Sequence, residues 1–137
     1  MKGDFHKGQI NDNLVMIDVS LSQSFLNPNS VAIIGASADP KKTGSRAQRF
    51  LVSHGYKGKI FPVNPNREEI FGLKCYPNLK SINEQVDHIF VAVDGNKIIE
   101  SIKDAISINV RCATILSGGF SESGSEGNEL EKYIFKI

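Results

Sequence analysis

The run Val31-Ala32-Ile33-Ile34 is the most restrictive feature of the chain: apolar at every position, it stops at Gly35 and leads through a polar loop into apolar residues at helical spacing. A strand with one solvated face alternates polar and apolar residues, so an unbroken run predicts a strand covered on both faces, as in a parallel sheet. Beyond the loop, Ala47, Phe50, Leu51 and His54 fall at i, i+3, i+4 and i+7. That is one stripe of a helix, closed by Gly55.

The same order recurs. Lys59 to Val63 reads as a second strand stopped by Asn64 and Pro65, and Leu73 to Tyr76 as a weaker one before Pro77. Asp87 to Val93 is the next buried strand, followed by a helix stripe of Ile98, Ile99, Ile102, Ala105 and Ile106, and then by a strand from Cys112 to Leu116. Past Ser117, Gly118 and Gly119, Ser123 with Glu126 three residues later is a capping-box signature for a last helix carrying Leu130, Tyr133, Ile134 and Ile137 on one face. Strands alternating with helices predict an α/β fold, Rossmann-like and doubly wound, with a mainly parallel sheet.

This domain is expected over residues 25–137. Residues 1–24 show no sustained period and read as a lead-in, partly ordered at most, with Leu14 to Val19 packing loosely on the domain. The last helix ends on an apolar residue without a polar cap, the pattern of a domain truncated from a longer chain.

Charge removes several function classes. Among 137 residues, 16 Lys plus Arg stand against 15 Asp plus Glu, a formal charge of +1. With no basic cluster to displace counterions from phosphates, a general nucleic-acid binder is not expected. The longest uninterrupted apolar run is Ile89 to Val93, far short of the ~18 residues that read as a membrane-spanning helix. No secretory core is present either, because Leu14 to Ile17 is interrupted by Asp18, so a cytoplasmic location with Cys75 and Cys112 as reduced thiols is expected.

Ligands of open α/β sheets settle beyond the carboxyl ends of the strands. After the first strand, the stretch from Gly35 to Ser45 combines a tight turn with a helix N-terminus, whose free N–H groups favour an anion. Lys42, Ser37, Thr43 and Ser45 add donors, and Gly44 lies among them. Phosphate or pyrophosphate suits this loop. Three better-known loops do not fit it. A Walker A motif needs glycine where Lys41 stands, Asp39 replaces the last glycine of a nucleophile elbow, and the dinucleotide glycine spacing fails after Gly35.

The second strand ends in Val63-Asn64-Pro65-Asn66-Arg67, where an NAD site usually places an acid. Arg67 is either a bidentate grip on a phosphorylated ribose or a solvated loop charge. The first reading fits coenzyme A or NADP better than NAD.

At this point four ordered motifs carry a resemblance. Ser30 to Gly35 with Ser37 and Asp39-Pro40, then Lys59-Ile60-Phe61-Pro62-Val63-Asn64-Pro65, Ile70-Phe71-Gly72-Leu73-Lys74-Cys75-Tyr76-Pro77, and Ser117-Gly118-Gly119-Phe120-Ser121-Glu122 resemble the CoA-binding domain of NDP-forming acyl-CoA synthetases. That family includes ADP-forming acetyl-CoA synthetase and feruloyl-CoA synthetase and is related to the α subunit of succinyl-CoA synthetase. The resemblance covers residues 25–134.

It implies that the loop from Gly35 to Ser45 holds the CoA pyrophosphate, and that Val63, Asn64 and Pro65 with Arg67 lie along the 3′-phospho-ADP. It also implies that Ser117, Gly118 and Gly119 approach the pantetheine. The family usually has proline after the strand ending at Val93; here Asp94 brings a carboxylate near a polyanionic ligand.

The resemblance further implies partners: a phosphohistidine-bearing ligase domain and an ATP-grasp unit, in a cycle that joins acid and CoA at the expense of ATP or GTP. None of His6, His54 and His88 has the context of that histidine, and no carboxylate pair or metal-ligand cluster is evident in the sequence. His54, on the inward stripe, and His88, at the start of a buried strand, are expected to be structural. The chain is therefore expected to bind CoA without ligating by itself. A self-standing CoA-binding regulatory or carrier protein, and an NADP-binding Rossmann module, remain as alternatives.

Overall fold

The computed structural model describes the backbone of residues 5–10 and 13–137, with side chains from Leu21 onward. Strands β1 (Phe5–Ile10) and β2 (Asn13–Asp18) pair antiparallel and lead into helix α1 (Val19–Leu26). The packing expected of Leu14 to Val19 lies outside the described side chains.

The main sheet has four parallel strands. β3 (Ser30–Ile34) and β7 (His88–Val91) are central, β4 (Lys59–Val63) flanks β3, and β8 (Cys112–Ile115) flanks β7. Helix α2 (Thr43–Ser53) joins β3 to β4, α3 (Asn96–Ser107) joins β7 to β8, and α4 (Ser125–Ile134) closes the chain. The short strands β5 (Glu69–Ile70) and β6 (Leu73–Lys74) form a hairpin between β4 and β7. Among the described residues, no helix is long and apolar enough to cross a membrane.

The unbroken apolar run of β3 has the predicted cause. Val31 and Ile33 join one buried cluster with Ala36, Ile70 and Cys75, while Ala32 and Ile34 join the other with Phe61, Val63, Ile89, Val91 and Ile98. Alternate side chains thus enter opposite layers, as parallel strands require. Pro62 is tolerated because β4 is an edge strand, where its carbonyl accepts from the Tyr76 N–H at 2.8 Å.

Several expected details differ. Ala47 and Leu51 of the expected α2 stripe pack against the cluster of Val31 and Ile33, but the most deeply buried residues of the helix are Gly44, Ser45 and Gln48, and Phe50 is 56% exposed. The first turn of α2 sits so close to the loop after β3 that Gly44 must face it, and this sets which residues of the helix turn inward. His54 also lies outside the core, just past the last turn of α2, where its Nδ1 donates to the Phe50 carbonyl at 2.9 Å.

In α3, Ser101 takes the inward place expected of Ile106, satisfying its hydroxyl on the Lys97 carbonyl at 2.6 Å. The Ser123 capping box does not form, because Ser123 belongs to a 3-10 turn (Ser121–Ser123) and Gly124, with φ of 93°, stands before α4. Tyr133 lies outward with Lys103 over its ring, and Ile137 falls beyond the helix. The expected strand residues Asp87, Ala92, Val93 and Leu116 lie beyond the strand ends, and Tyr76 makes only a single bridge to Val63.

Candidate functional site

Because the chain leaves β3 for β4 on one side and later returns to β7 on the other, the carboxyl ends of β3 and β7 diverge at a topological switch point. A cleft of about 870 Å3 opens there, within the usual size range of small-molecule sites.

Its floor depends on two glycines. Gly35 has φ of 83°, and a Cβ there would lie 2.6 Å from the Ala92 carbonyl oxygen of the neighbouring strand end. A Cβ on Gly44 would collide with the Gly35 carbonyl. The loop therefore closes on the helix as only glycines allow, bringing the first turn of α2 against the strand tip. Lys42 is the N-cap residue and its side chain makes no capping bond, so the first-turn N–H groups of α2 lack a side-chain partner.

The loop between these glycines is ordered by its own polar groups. The Asp39 N–H donates to Ser37 Oγ at 3.1 Å and the Lys41 N–H to Asp39 Oδ1 at 3.0 Å. Arg49 reaches from α2 to the Pro40 carbonyl at 3.2 Å. Across the cleft, Asn64 donates to the Ala36 carbonyl at 2.9 Å and accepts the Asn66 N–H at 2.8 Å, joining the two loops.

Of the residues singled out from the sequence, Gly35, Ser37, Lys42, Thr43, Gly44, Val63, Asn64, Pro65, Val93, Ser117 and Gly118 line this cleft. Three do not. Ser45 is fully buried behind it with no partner for its hydroxyl, Arg67 is exposed beyond the lining, and Gly119 lies one residue past it.

Sequence reasoning missed the α3 wall, where Lys97, Glu100, Ser101 and Asp104 line the cleft. Their i, i+3, i+4, i+7 spacing was the available signal: a polar stripe beginning just after a buried strand. Asp104 is paired with Lys80 at 2.9 Å, whereas Lys41 and Lys42 concentrate positive charge at the α2 end. An anion is thus favoured near α2 rather than near α3.

Neither cysteine is a poised nucleophile, since burial pushes both the Cys75 and Cys112 thiols up. Burial pushes His88 down, while the Ser24 carbonyl opposes this in part.

A family model described as a CoA binding domain matches residues 29–133. The chain belongs to this CoA binding domain family. Acetate–CoA ligase (ADP-forming) II of Archaeoglobus fulgidus is 40% identical over 110 residues, covering 80% of this chain and 16% of the relative. The α subunit of acetate–CoA ligase (ADP-forming) II of Pyrococcus furiosus is 35% identical over 113 residues, covering 82% of this chain and 24% of that one. The dinucleotide-forming acetyl-coenzyme A synthetase 1 of Ca. Korarchaeum cryptofilum, solved with phosphate and ADP, superposes with a TM-score of 0.78 at 38% identity, over 83% of this chain and 24% of its own.

The CoA binding domain described here therefore spans between about a sixth and a quarter of the length of these relatives. It shares its fold with the solved synthetase.

Proposed function

We propose that the cleft binds coenzyme A and that the chain is the CoA-binding part of an NDP-forming acyl-CoA synthetase. The observation that carries this reading is the uncapped N-terminus of α2, closed onto the β3 tip by Gly35 and Gly44 and opening into the cleft beside Lys42. A diphosphate there meets the free N–H groups of Thr43 and Gly44 and a cation, in a site whose geometry exists before binding.

The remaining roles follow the course of the cleft. The adenosine lies along Val63, Asn64 and Pro65, with Arg67 reaching the 3′-phosphate from outside the lining. The pantetheine passes Val93 and residues 117–119, where small side chains let a thin chain run close to backbone.

In the whole enzyme, a phosphohistidine-bearing domain and an ATP-grasp unit would convert acid and nucleotide into an acyl phosphate. The CoA sulfur then attacks the acyl carbon, the carbon–sulfur bond forms, and inorganic phosphate leaves. This domain contributes by holding the thiol in place, which turns a two-body encounter into a local one. By itself it binds and does not ligate, in the cytoplasm where we assign it.

Calorimetric titration with CoA, dephospho-CoA and NADP tests the reading. CoA is expected to bind most tightly and dephospho-CoA more weakly. Tighter binding of NADP than of CoA, or no heat with millimolar CoA, would overturn it.

A further inference from the structure

The cleft wall at Ser117 and Gly118 continues into a loop whose N–H groups are held by the chain's own carboxylates. Glu122 Oε1 accepts the N–H groups of Gly119 at 2.8 Å and Phe120 at 3.1 Å, and Glu131 of α4 accepts that of Ser121 at 3.2 Å. Beneath the loop, α4 presents Gly127, where any Cβ would strike the Phe120 carbonyl. Phe120 itself packs against the larger core cluster, which contains Val63 and Val91. The loop is fixed from below by contact and from its outer side by carboxylates.

The bonds to Glu122 also set peptide orientation. A trans peptide carries its N–H and C=O on opposite sides, so holding the Gly119 N–H turns the Gly118 carbonyl away from the carboxylate. Gly118 is the cleft-lining residue of that peptide.

We propose that Glu122 is a positioning residue for the pantetheine arm of CoA, acting through the peptide between Gly118 and Gly119. This rests on the CoA reading of the cleft. Glu122 stands outside the lining; it holds the strip along which the arm passes.

The loop N–H groups keep the Glu122 carboxyl below the usual carboxylate range. The helix packed on this turn brings Glu126, Glu129, Glu131 and Lys132, of which Lys132 pairs with Glu129 at 3.2 Å.

The test compares CoA with adenosine 3′,5′-bisphosphate, which lacks the pantetheine, by calorimetry on the full chain. Glu122→Ala is expected to weaken CoA by about tenfold or more, the size of a lost charge-assisted bond, while leaving the bisphosphate within about twofold. Glu122→Gln, which keeps the accepting oxygen, is expected to restore most CoA affinity. Equal loss for both ligands, no loss for either, or failure of Gln to rescue would each overturn the assignment.

A second measurement does not need the alanine variant to fold. In the wild-type chain the Gly119 and Phe120 amide protons are expected to shift as acid protonates the carboxylate, and in Glu122→Gln to stay constant. Amides that ignore acid in the wild type would sink the proposed contact. Wild-type chain that binds neither ligand would instead overturn the CoA reading itself.

Discussion

The Asn64 side chain donates to the carbonyl of Ala36 at 2.9 Å, so one amide ties the tip of β4 to the loop after β3. Its oxygen is engaged as well, by the Asn66 N–H at 2.8 Å. Asn64→Ala removes both bonds and is expected to cost about 1 to 2 kcal/mol of stability and to weaken CoA severalfold. Asn64→Asp keeps the acceptor but sets a carboxylate against the Ala36 carbonyl, so its CoA affinity is expected to fall below that of the alanine variant. Urea denaturation with parallel calorimetry checks both; an aspartate that binds CoA as well as wild type would remove the bridge from the binding site.

Arg67 poses a question of reach, because it stands exposed beyond the cleft lining. If it grips the 3′-phosphate, Arg67→Ala is expected to weaken CoA by about 1.5 to 3 kcal/mol, the scale of a charge-assisted hydrogen bond. Dephospho-CoA, lacking that phosphate, is expected to lose almost nothing. Equal loss for both ligands would make Arg67 a general attractor of negative charge.

Much of the architecture was legible because parallel strands covered on both faces leave unbroken apolar runs. Val31 to Ile34 and Ile89 to Val91 are legible for that reason, as is Gly35, whose tight turn the strand end demands. What was hidden depended on distances the sequence does not carry. Phe50 and Gln48 both sit in helical register, and only the close approach of α2 at Gly44 decides that Gln48 turns inward, where it donates to the Ile70 carbonyl at 2.9 Å. The turn Ser121–Ser123 displaced the expected cap because Glu122 satisfies the Gly119 and Phe120 N–H groups. Lys97, Glu100 and Asp104 line the same cleft from a helix face rather than from a strand end, and a polar helical stripe by itself reads equally well as a solvated face.

His88 makes stability depend on pH. A carbonyl can only accept, so Nδ1 donates to Ser24 at 3.1 Å and the neutral Nε2 accepts the Thr114 hydroxyl at 2.8 Å. Burial lowers its folded pKa below the unfolded value of about 6.5. The unfolded chain therefore binds the proton more readily, and stability is lost as pH falls below about 6.5 toward the folded value. His88→Leu is expected to be less stable by about 1 to 3 kcal/mol through its orphaned partners, with a flatter stability profile between about pH 5.5 and 7. Denaturation midpoints across that range check this, and parallel profiles for the two proteins would refute it.

Asp94 lines the same cleft as Lys42. Its carboxylate and the CoA phosphates carry like charge. At a separation of roughly 8 Å in water-like surroundings, each charge pair opposes binding by about 0.5 kcal/mol, and CoA brings several such charges. Asp94→Asn is therefore expected to tighten CoA by about two- to tenfold in dilute buffer. The gain is expected to fade near 1 M salt, where the Debye length shrinks to about 3 Å. Calorimetry at low and high salt separates a charge effect from a steric one: a gain that persists undiminished in high salt would mean that Asp94 acts by its shape and not by its charge.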